Sequence, residues 1–309
     1  MRAVVAKQYG GPEVLELDER PEPKVWPDAV LVRVAAASIN PVDYRIVRGY
    51  LDAAFPTVQP LVPGWDVAGD VVRVGPAVTH VEVGEHVYGY ARKDFIGEGT
   101  WAELVAVPAR GIAAAPRSLD ATEASCVPLA GLTAYQALTD KAGVGPGDVV
   151  LVHAAAGGVG SFAVQIAVAL GAQVIGTASS RNHDYLRQLG VDPVNYGEGL
   201  AERVRALAPD GVDAVVDLVG GAALEMSPSL VKDAHRLVSV IDAAAVQRLG
   251  GQYLFVRPEI DDLAELARLI DERAVRVHID RRYPLADVRA AVEYAEHGHV
   301  RGKVVLDVA

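Results

Sequence analysis

A glycine-rich turn between a predicted strand and a predicted helix is the stretch of this sequence best suited to bind a phosphate. Residues 149–154 are almost all apolar, which predicts a strand buried on both faces, and apolar residues at helical spacing follow over 159–170. Glycine lets the backbone approach a ligand closely, and the first turn of a helix leaves N–H groups without intrahelical partners. A pyrophosphate fits such a place, since the peptide dipoles also add positive potential there.

The turn matches the G-x-G-x-x-G pattern of dinucleotide-binding proteins, except that an alanine occupies the first glycine position. The residues predicted to contact the cofactor here are Ala155, Gly157, Gly158, Val159 and Gly160. The alternative is a tight strand-to-helix turn that binds nothing, but the strand–turn–helix context favours a dinucleotide.

The end of the next predicted strand, residues 173–178, bears on which dinucleotide is bound. Proteins that bind a free ribose 2′-hydroxyl usually carry Asp or Glu there, about 20 residues after the glycines. This chain has Ser179, Ser180 and Arg181 instead. Two hydroxyls and a guanidinium would bind a 2′-phosphate that a carboxylate would repel, so the sequence predicts NADPH rather than NADH. The alternative for Arg181 is a solvated charge at a helix start.

The composition restricts the possible partners. The chain has 309 residues, 51% of them hydrophobic, a net charge of −11 and a single cysteine, Cys126. An acidic chain disfavours nucleic acid as the main partner, and one cysteine cannot form an internal disulfide or a cysteine-rich zinc site. No apolar run reaches the about 18–20 residues of a membrane span, and the N-terminus lacks the apolar run of a signal peptide. We therefore expect a soluble cytoplasmic protein without nucleic-acid or membrane partners.

The pattern of the chain changes along its length. Residues 1 to about 118 contain short β-branched runs bounded by Pro, Gly and Asp, which predicts a β-rich domain. From 149 to about 242, alternating strands and helices predict a parallel sheet covered on both faces. The strands expected there are 149–154, 173–178, 213–218 and 236–241, and the helices are 159–170, 182–190, 198–207 and 222–232.

Further elements are expected after this alternation. They are a strand over 250–256, an amphipathic helix beginning at Ile260, a helix over 285–296 and a closing strand over 301–308. The closing strand has no partner nearby in the sequence, so we expect it to return to the first domain.

Four motifs follow one another in an order that is highly specific. They are Ser38-Ile39-Asn40-Pro41-Val42-Asp43-Tyr44, Pro63-Gly64-Trp65-Asp66-Val67-Ala68-Gly69, Ala155-Ala156-Gly157-Gly158-Val159-Gly160 and a Gly302-Lys303-Val304-Val305-Leu306 tail. In this order they resemble the zinc-independent medium-chain dehydrogenase/reductases, in particular the NADPH:quinone oxidoreductase, or zeta-crystallin-like, branch. The resemblance covers essentially the whole chain.

The resemblance implies an α/β protein of two domains. Residues 1–118 and 260–309 would form a GroES-like β-barrel catalytic domain, and residues 119–259 a Rossmann domain with a doubly wound parallel sheet. It also implies a homodimer, in which the strand over 251–256 pairs across a two-fold axis because unpaired sheet edges invite partners.

The sequence departs from the zinc-dependent alcohol dehydrogenases of the same fold. Those enzymes carry a cysteine where Asn40 stands and a His-Glu pair where Trp65 and Asp66 stand, and their four-cysteine loop is missing here. No metal site is therefore predicted. Alcohol oxidation becomes disfavoured without a Lewis acid on the oxygen. Hydride transfer to an electron-poor acceptor remains, either a quinone or the β-carbon of an α,β-unsaturated carbonyl.

Asn40 and Tyr44 are the residues predicted to act in catalysis, because the protein around a nicotinamide orients it and stabilises developing negative charge. The resemblance implies that Asn40 lies near the nicotinamide, where its amide would bind the cofactor ribose or the substrate oxygen. The alternative is a turn-forming Asn before Pro41. Tyr44 would donate to the developing oxyanion, or pack at the rim of the cleft. Trp101 would stack on a flat acceptor or simply pack.

Further cofactor contacts are implied at four positions. Thr133 matches a family position near the phosphates or nicotinamide ribose, Tyr196 one near the 2′-phosphate, and Lys303 one on the phosphate or nicotinamide side. Ser239 ends a predicted strand at the crevice and is expected to offer backbone groups to the nicotinamide. The alternatives are a helix hydroxyl bonding its own backbone for Thr133, a covered loop aromatic for Tyr196 and a solvated charge for Lys303.

The sequence therefore predicts an NADPH-dependent reductase of quinones or activated alkenes that works without zinc. One alternative is an enoyl or alkenal reductase of a biosynthetic pathway. Another is a protein that binds NADPH without useful turnover and acts structurally or as a redox-sensing partner. Acceptor-dependent NADPH oxidation distinguishes the enzymes from the binding protein.

Overall fold

The computed structural model describes residues 1–308, which form two compact units. The first unit consists of Met1–Leu129, Pro258–Asp271 and the segment from Val277 onward. The second consists of Ala130–Arg257 and Glu272–Arg276. The chain therefore leaves the first unit, builds most of the second and returns to the first, apart from a short second passage through the second unit at Glu272–Arg276.

The secondary structure consists of seventeen strands and ten α-helices within residues 1–308. The strands are β1 (Arg2–Ala6), β2 (Leu15–Glu19), β3 (Ala29–Ile39), β4 (Thr57–Val62), β5 (Asp66–Val74), β6 (His86–Tyr90), β7 (Ile96–Glu98), β8 (Leu104–Pro108), β9 (Ile112–Ala114), β10 (Val149–Val152), β11 (Gln173–Ala178), β12 (Asp192–Asn195), β13 (Ala214–Asp217), β14 (Leu237–Ser239), β15 (Gln252–Tyr253), β16 (Ile279–Pro284) and β17 (Lys303–Asp307). The helices are α1 (Pro41–Val47), α2 (Ala121–Ala124), α3 (Pro128–Gln136), α4 (Gly158–Ala169), α5 (His183–Gln188), α6 (Leu200–Leu207), α7 (Gly221–Met226), α8 (Ala243–Arg248), α9 (Ile260–Asp271) and α10 (Val288–Glu296).

The first unit is built mainly from two sheets. One has the strand order β2-β1-β4-β7, and the other has the order β16-β17-β3-β5-β6-β9, with β8 also paired to β3. A side chain at Gly69 would lie 1.9 Å from the carbonyl oxygen of Arg33, so only glycine lets β5 pass this close to β3. The closing strand β17 pairs antiparallel with β3, with Val304 opposite Ile39, which confirms its expected return to the first domain.

The second unit contains one parallel sheet with the order β12-β11-β10-β13-β14-β15. The chain runs outward from β10 to β12 and then resumes on the other side of β10, so the strand order reverses between β10 and β13. In such sheets, ligands bind outside the carboxyl ends of the strands at this reversal. Alternating strands and helices and a parallel sheet are confirmed as the sequence predicted them.

Some predicted elements differ from those observed. The helix expected over 222–232 ends at Met226 and continues as a 3-10 turn over Ser227–Ser229, because Pro228 has no N–H to extend the helical bonding. The strand expected over 250–256 is reduced to β15 at the edge of the sheet.

Outside the β-rich region of residues 1–118, two strands were not predicted at all. The edge strand β12 contains Pro193, and the edge strand β16 contains Arg281 and Arg282, so neither shows the apolar run by which buried strands are recognised. Within residues 1–308, no helix is both long and apolar enough to cross a membrane.

Candidate functional site

The glycine turn of the second unit has the backbone geometry that phosphate binding requires. Helix α4 begins at Gly158, and its N-cap residue, Gly157, has no side chain to cap the helix. The N–H groups of the first turn are therefore left for another acceptor. Gly157, Gly158 and Val159 are half-buried, whereas Ala155 and Gly160 are buried, so the accessible side of the turn is largely backbone.

Ala154 controls how closely this turn packs against the helix. Its φ of 54° lies in the left-handed region, and its carbonyl oxygen accepts the Gly157 N–H at 3.0 Å. A Cβ at Gly160 would lie 2.2 Å from that oxygen and 2.8 Å from the Cα of Ala155. The third glycine of the pattern is thus required because the start of α4 packs directly on the turn.

The residues predicted to bind the 2′-phosphate follow two adjacent strands. Ser179 follows β11 and Tyr196 follows β12, and these strands end side by side with Ala178 opposite Asn195. Tyr196 is 59% exposed, which rules out the covered loop aromatic. Ser180 and Arg181 are exposed in the 3-10 turn after β11. The fold therefore places the predicted 2′-phosphate residues at the carboxyl ends of two neighbouring strands, β11 and β12.

Ser239 lies at the carboxyl end of β14 in the same sheet, but its hydroxyl and carbonyl groups already form hydrogen bonds within the protein. Its hydroxyl donates to Asp217 Oδ2 at 2.7 Å, and its carbonyl oxygen accepts the Leu254 N–H at 3.0 Å. Asp217 also accepts the Gly220 N–H at 2.9 Å and so fixes a second glycine turn. A contact from Ser239 to the cofactor stays a prediction, as does one from Thr133, which is buried in α3.

The other predicted residues meet in the first unit, where three adjacent strands position them. Asn40 follows β3, Asp66 begins β5 and Lys303 begins β17, and both β5 and β17 pair with β3. The exposed fractions of Asn40, Asp66 and Lys303 are only 2%, 0% and 3%. Lys303 is therefore a buried cation rather than a solvated charge.

Short hydrogen bonds connect this buried cluster. The Lys303 ammonium donates to Asn40 Oδ1 at 2.5 Å and lies 3.6 Å from Asp66 Oδ2. Asn40 Nδ2 donates to the same Oδ2 at 2.8 Å. Asp66 also accepts the Ser38 hydroxyl at 2.6 Å and the Leu129 N–H at 2.7 Å. The Asn40 amide is consequently held in one orientation, with one N–H and one lone pair not used by these bonds.

Asp43 places a second buried carboxyl beside the cluster. Its Oδ2 accepts the Asn40 N–H at 2.7 Å and so caps the N-terminus of α1. Its Oδ1 is buried without a hydrogen-bond partner among the described residues. Burial raises the pKa of Asp43 to about 8, because the ionised form loses its hydration. Asp43 is therefore mostly protonated at neutral pH.

Tyr44 lies one residue further along α1 and is half-buried. Partial burial is the main cause that raises the pKa of its phenol, so the hydroxyl keeps its proton at neutral pH. A protonated hydroxyl is what donation to an oxyanion requires.

Trp101 is packed inside the first unit and is not accessible for stacking on an acceptor. It is completely buried, and it packs so closely on Gly64 that a Cβ there would lie 2.3 Å from its ring. The interpretation of Trp101 as a stacking residue is therefore wrong. A small cleft of the first unit is lined instead by Trp65, Lys93 and Phe95.

The side chains around Asn40 and Asp66 do not fit a zinc ion. Within residues 1–308, no three His, Cys, Asp or Glu side chains are grouped so that they could hold a metal. The Lys303 ammonium balances the charge of Asp66. It also donates to the side-chain oxygen of Asn40, which is the atom that would otherwise face a metal. Cys126 is buried, and burial raises the pKa of its thiol to about 12.

Comparisons with known proteins identify the family. Residues 26–117 match the alcohol dehydrogenase GroES-like domain, and residues 189–306 match the family described as zinc-binding dehydrogenase. The chain is 30% identical to the chloroplast envelope quinone oxidoreductase homolog of Arabidopsis thaliana, over 99% of this chain and 98% of that protein. It is 34% identical to the NADPH-dependent alkenal/one oxidoreductase of the same plant, over 99% of this chain and 79% of that protein.

Among solved structures, the quinone oxidoreductase from Coxiella burnetii superposes with a TM-score of 0.87 at 35% identity, covering 100% of this chain and 99% of that one. The chain belongs to the quinone oxidoreductase family of medium-chain dehydrogenase/reductases. Its first unit is accordingly the GroES-like domain and its second the Rossmann-type domain.

Several residues of this quinone oxidoreductase family member were not predicted to take part in its polar clusters. Ser38 and Asp66 lie within the quoted motifs, but nothing in their spacing indicates that they bind each other. Asp217 was likewise missed as the anchor of the second glycine turn. Its position at the end of a predicted strand, just before Gly220 and Gly221, was the available signal.

Proposed function

We propose that this chain transfers a hydride from NADPH to a quinone, or to the β-carbon of an α,β-unsaturated carbonyl, and that it does so without zinc. The observation that carries the proposal is the phosphate turn: α4 starts without a side-chain cap, and Gly160 packs on Ala154 with no room for a side chain. The relatives named above as quinone and alkenal/one oxidoreductases support the same acceptors.

The second unit would hold the cofactor. The N–H groups at the start of α4 would donate to its pyrophosphate, and the exposed Ser180 and Arg181, with Ser179 and Tyr196, would bind the 2′-phosphate. Thr133 and Ser239 are proposed to contact its ribose and nicotinamide side. When bound, NADPH supplies the hydride.

The first unit would serve the acceptor. The remaining N–H of Asn40 would donate to the cofactor ribose or to the substrate oxygen, and the Lys303 ammonium behind it adds positive potential as charge develops on that oxygen. Tyr44 would donate a hydrogen bond to the same oxygen. Hydride addition together with the uptake of one proton from solvent would reduce the acceptor by two electrons.

Three further points are proposed. Zinc is unnecessary because Lys303 already balances Asp66, and in residues 1–308 no three His, Cys, Asp or Glu side chains are grouped to hold a metal. A homodimer would form along the edge strand β15, next to the exposed Phe255. The cytoplasmic location stays a prediction from the sequence.

Stopped-flow measurement of NADPH absorbance with quinones, enones and enals tests the proposal. We expect oxidation that depends on the acceptor and is insensitive to a metal chelator. Turnover of enals or enones alone would favour the alkenal reductase. Tight NADPH binding without oxidation by any acceptor would favour the binding protein. Turnover lost to a chelator and restored by zinc would contradict metal-independent transfer.

A further inference from the structure

A chain of buried hydrogen bonds lies directly behind the phosphate turn and has no part in the chemistry proposed above. His153 follows β10, is completely buried and immediately precedes Ala154. Its Nε2 lies 3.1 Å from the Ser227 hydroxyl, and its Nδ1 lies 3.4 Å from the Thr177 hydroxyl. The Thr177 oxygen in turn accepts the Ala154 N–H at 3.0 Å. Three segments distant in sequence are thus joined at one point.

The direction of each bond follows from the number of protons available. Ser227 donates its hydroxyl proton to the Ala223 carbonyl oxygen at 2.7 Å, so its oxygen must accept from His153 Nε2–H. In a neutral imidazole the other nitrogen is then an acceptor, and Thr177 donates to it. Burial lowers the pKa of His153 and keeps the ring neutral, which agrees with this arrangement.

The chain of hydrogen bonds ends at Ala154, whose backbone conformation is unfavourable for a residue other than glycine. Ala154 has a φ of 54°, a conformation that favours glycine because a Cβ crowds the following carbonyl. Its carbonyl oxygen accepts the Gly157 N–H and lies against Gly160, so the conformation of Ala154 determines where the first turn of α4 begins. Whatever holds Ala154 therefore also holds the N–H groups that face a phosphate.

We propose that Thr177, oriented by His153, is a positioning residue that keeps Ala154 in the left-handed conformation and so preorganises the phosphate turn for NADPH. This inference rests on the proposed function only for the identity of the ligand. The preorganisation itself is a property of the unliganded protein, so it can be measured separately.

Thr177→Val removes the hydroxyl at nearly constant volume, and Thr177→Ser keeps it as a matched control. Loss of one hydrogen bond raises a dissociation constant by about tenfold at most. We therefore expect the NADPH Kd of Thr177→Val to rise by about 3–10-fold and that of Thr177→Ser by less than about twofold. Adding Ala154→Gly to Thr177→Val should recover most of the loss, because glycine adopts the required φ without strain. Equal Kd values for the Val and Ser variants, or no recovery by Ala154→Gly, would overturn the proposal.

Hydrogen exchange in the unliganded protein supplies the second readout. The Gly157 and Ser161 amides, bonded to Ala154 and Gly157, should exchange faster in Thr177→Val but not in Thr177→Ser. His153→Phe removes the acceptor of Thr177 and should accelerate the same amides. Unchanged exchange in these variants contradicts the positioning role whether or not NADPH binds. Wild-type protein that fails to bind NADPH contradicts the proposed function alone.

Discussion

Lys303 is the residue on which the buried cluster of the first unit depends. Its ammonium lies 3.6 Å from Asp66 Oδ2, and it also fixes the oxygen of the Asn40 amide. A buried carboxylate without a compensating charge is strongly disfavoured. Lys303 therefore links the stability of this unit to the orientation of a proposed catalytic side chain.

Lys303→Met should lower the free energy of unfolding by about 3–5 kcal/mol, because it leaves Asp66 buried and unpaired. Urea denaturation followed by circular dichroism measures this change. Lys7→Met is the matched control, since Lys7 is exposed and pairs with Glu16 at the surface, where we expect little change. Equal midpoints for the two variants would show that the buried charge is compensated in some other way.

Asp43 should make the protein less stable as the pH rises from about 4 to about 8. Its pKa is raised to about 8 in the folded state, so the folded chain holds a proton there that the unfolded chain releases near its ordinary value of 3.8. Stability is then fully present below the unfolded value and is lost as the pH rises through the folded one. Asp43→Asn, which keeps an acceptor for the Asn40 N–H, removes this dependence.

Urea midpoints at pH 5 and pH 8 test this expectation. Relative to the wild type, the free energy of unfolding of Asp43→Asn should rise by more than about 1 kcal/mol between pH 5 and pH 8, since one pKa unit corresponds to about 1.4 kcal/mol. A constant difference between the two proteins would mean that Asp43 is ionised in the fold at both pH values.

Arg181→Glu should reverse part of the preference for NADPH over NADH. A carboxylate in place of the exposed guanidinium would repel the 2′-phosphate, so the NADPH Kd should rise by about tenfold or more while the NADH Kd changes little. Calorimetric titration with both cofactors measures this. Arg187→Glu, a surface charge of α5 paired with Asp184, serves as the control. An unchanged ratio of the two Kd values would remove Arg181 from the 2′-phosphate site.

At the scale of elements, the start of α4 is where packing and ligand binding depend on each other. Gly160→Ala places a Cβ 2.2 Å from the Ala154 carbonyl oxygen, so the first turn of α4 must shift and its N–H groups no longer point at the phosphate. We expect NADPH affinity to fall by about tenfold or more. Gly145→Ala is the control, because no atom lies within 4 Å of its added Cβ. Wild-type affinity in Gly160→Ala would show that the turn adapts.

The elements differ in how far the sequence could predict them. Four strands of the second unit, β10, β11, β13 and β14, were predictable because buried parallel strands are continuous apolar runs, as at Val149–Val152, and each is followed by a helix. The cluster around Asn40 was not, since Asn40 and Lys303 are 263 residues apart and only the antiparallel pairing of β3 with β17 brings them together. The resemblance indicated both residues, but not their direct bond.

At the scale of the whole molecule, self-association is the open structural prediction. Phe255 is 47% exposed just after the edge strand β15, where a second copy would extend the sheet. Phe255→Asp should therefore weaken the dimer, as sedimentation velocity would show by a shift towards monomer with dilution. Val83→Asp, which changes an exposed apolar residue of the first unit, should leave the dimer intact. Monomeric wild-type protein would contradict the dimer directly.

The late position of β17 in the chain has a consequence for biosynthesis. A ribosome releases residues 1–129 long before Lys303 exists, so in the nascent first unit residues 36–39 of β3 lack their β17 partner and Asp66 lacks its cation. Open strand edges of this type adhere to other chains. Truncation before β17 should therefore expose this strand edge, leave Asp66 without its cation and make the first unit prone to aggregation.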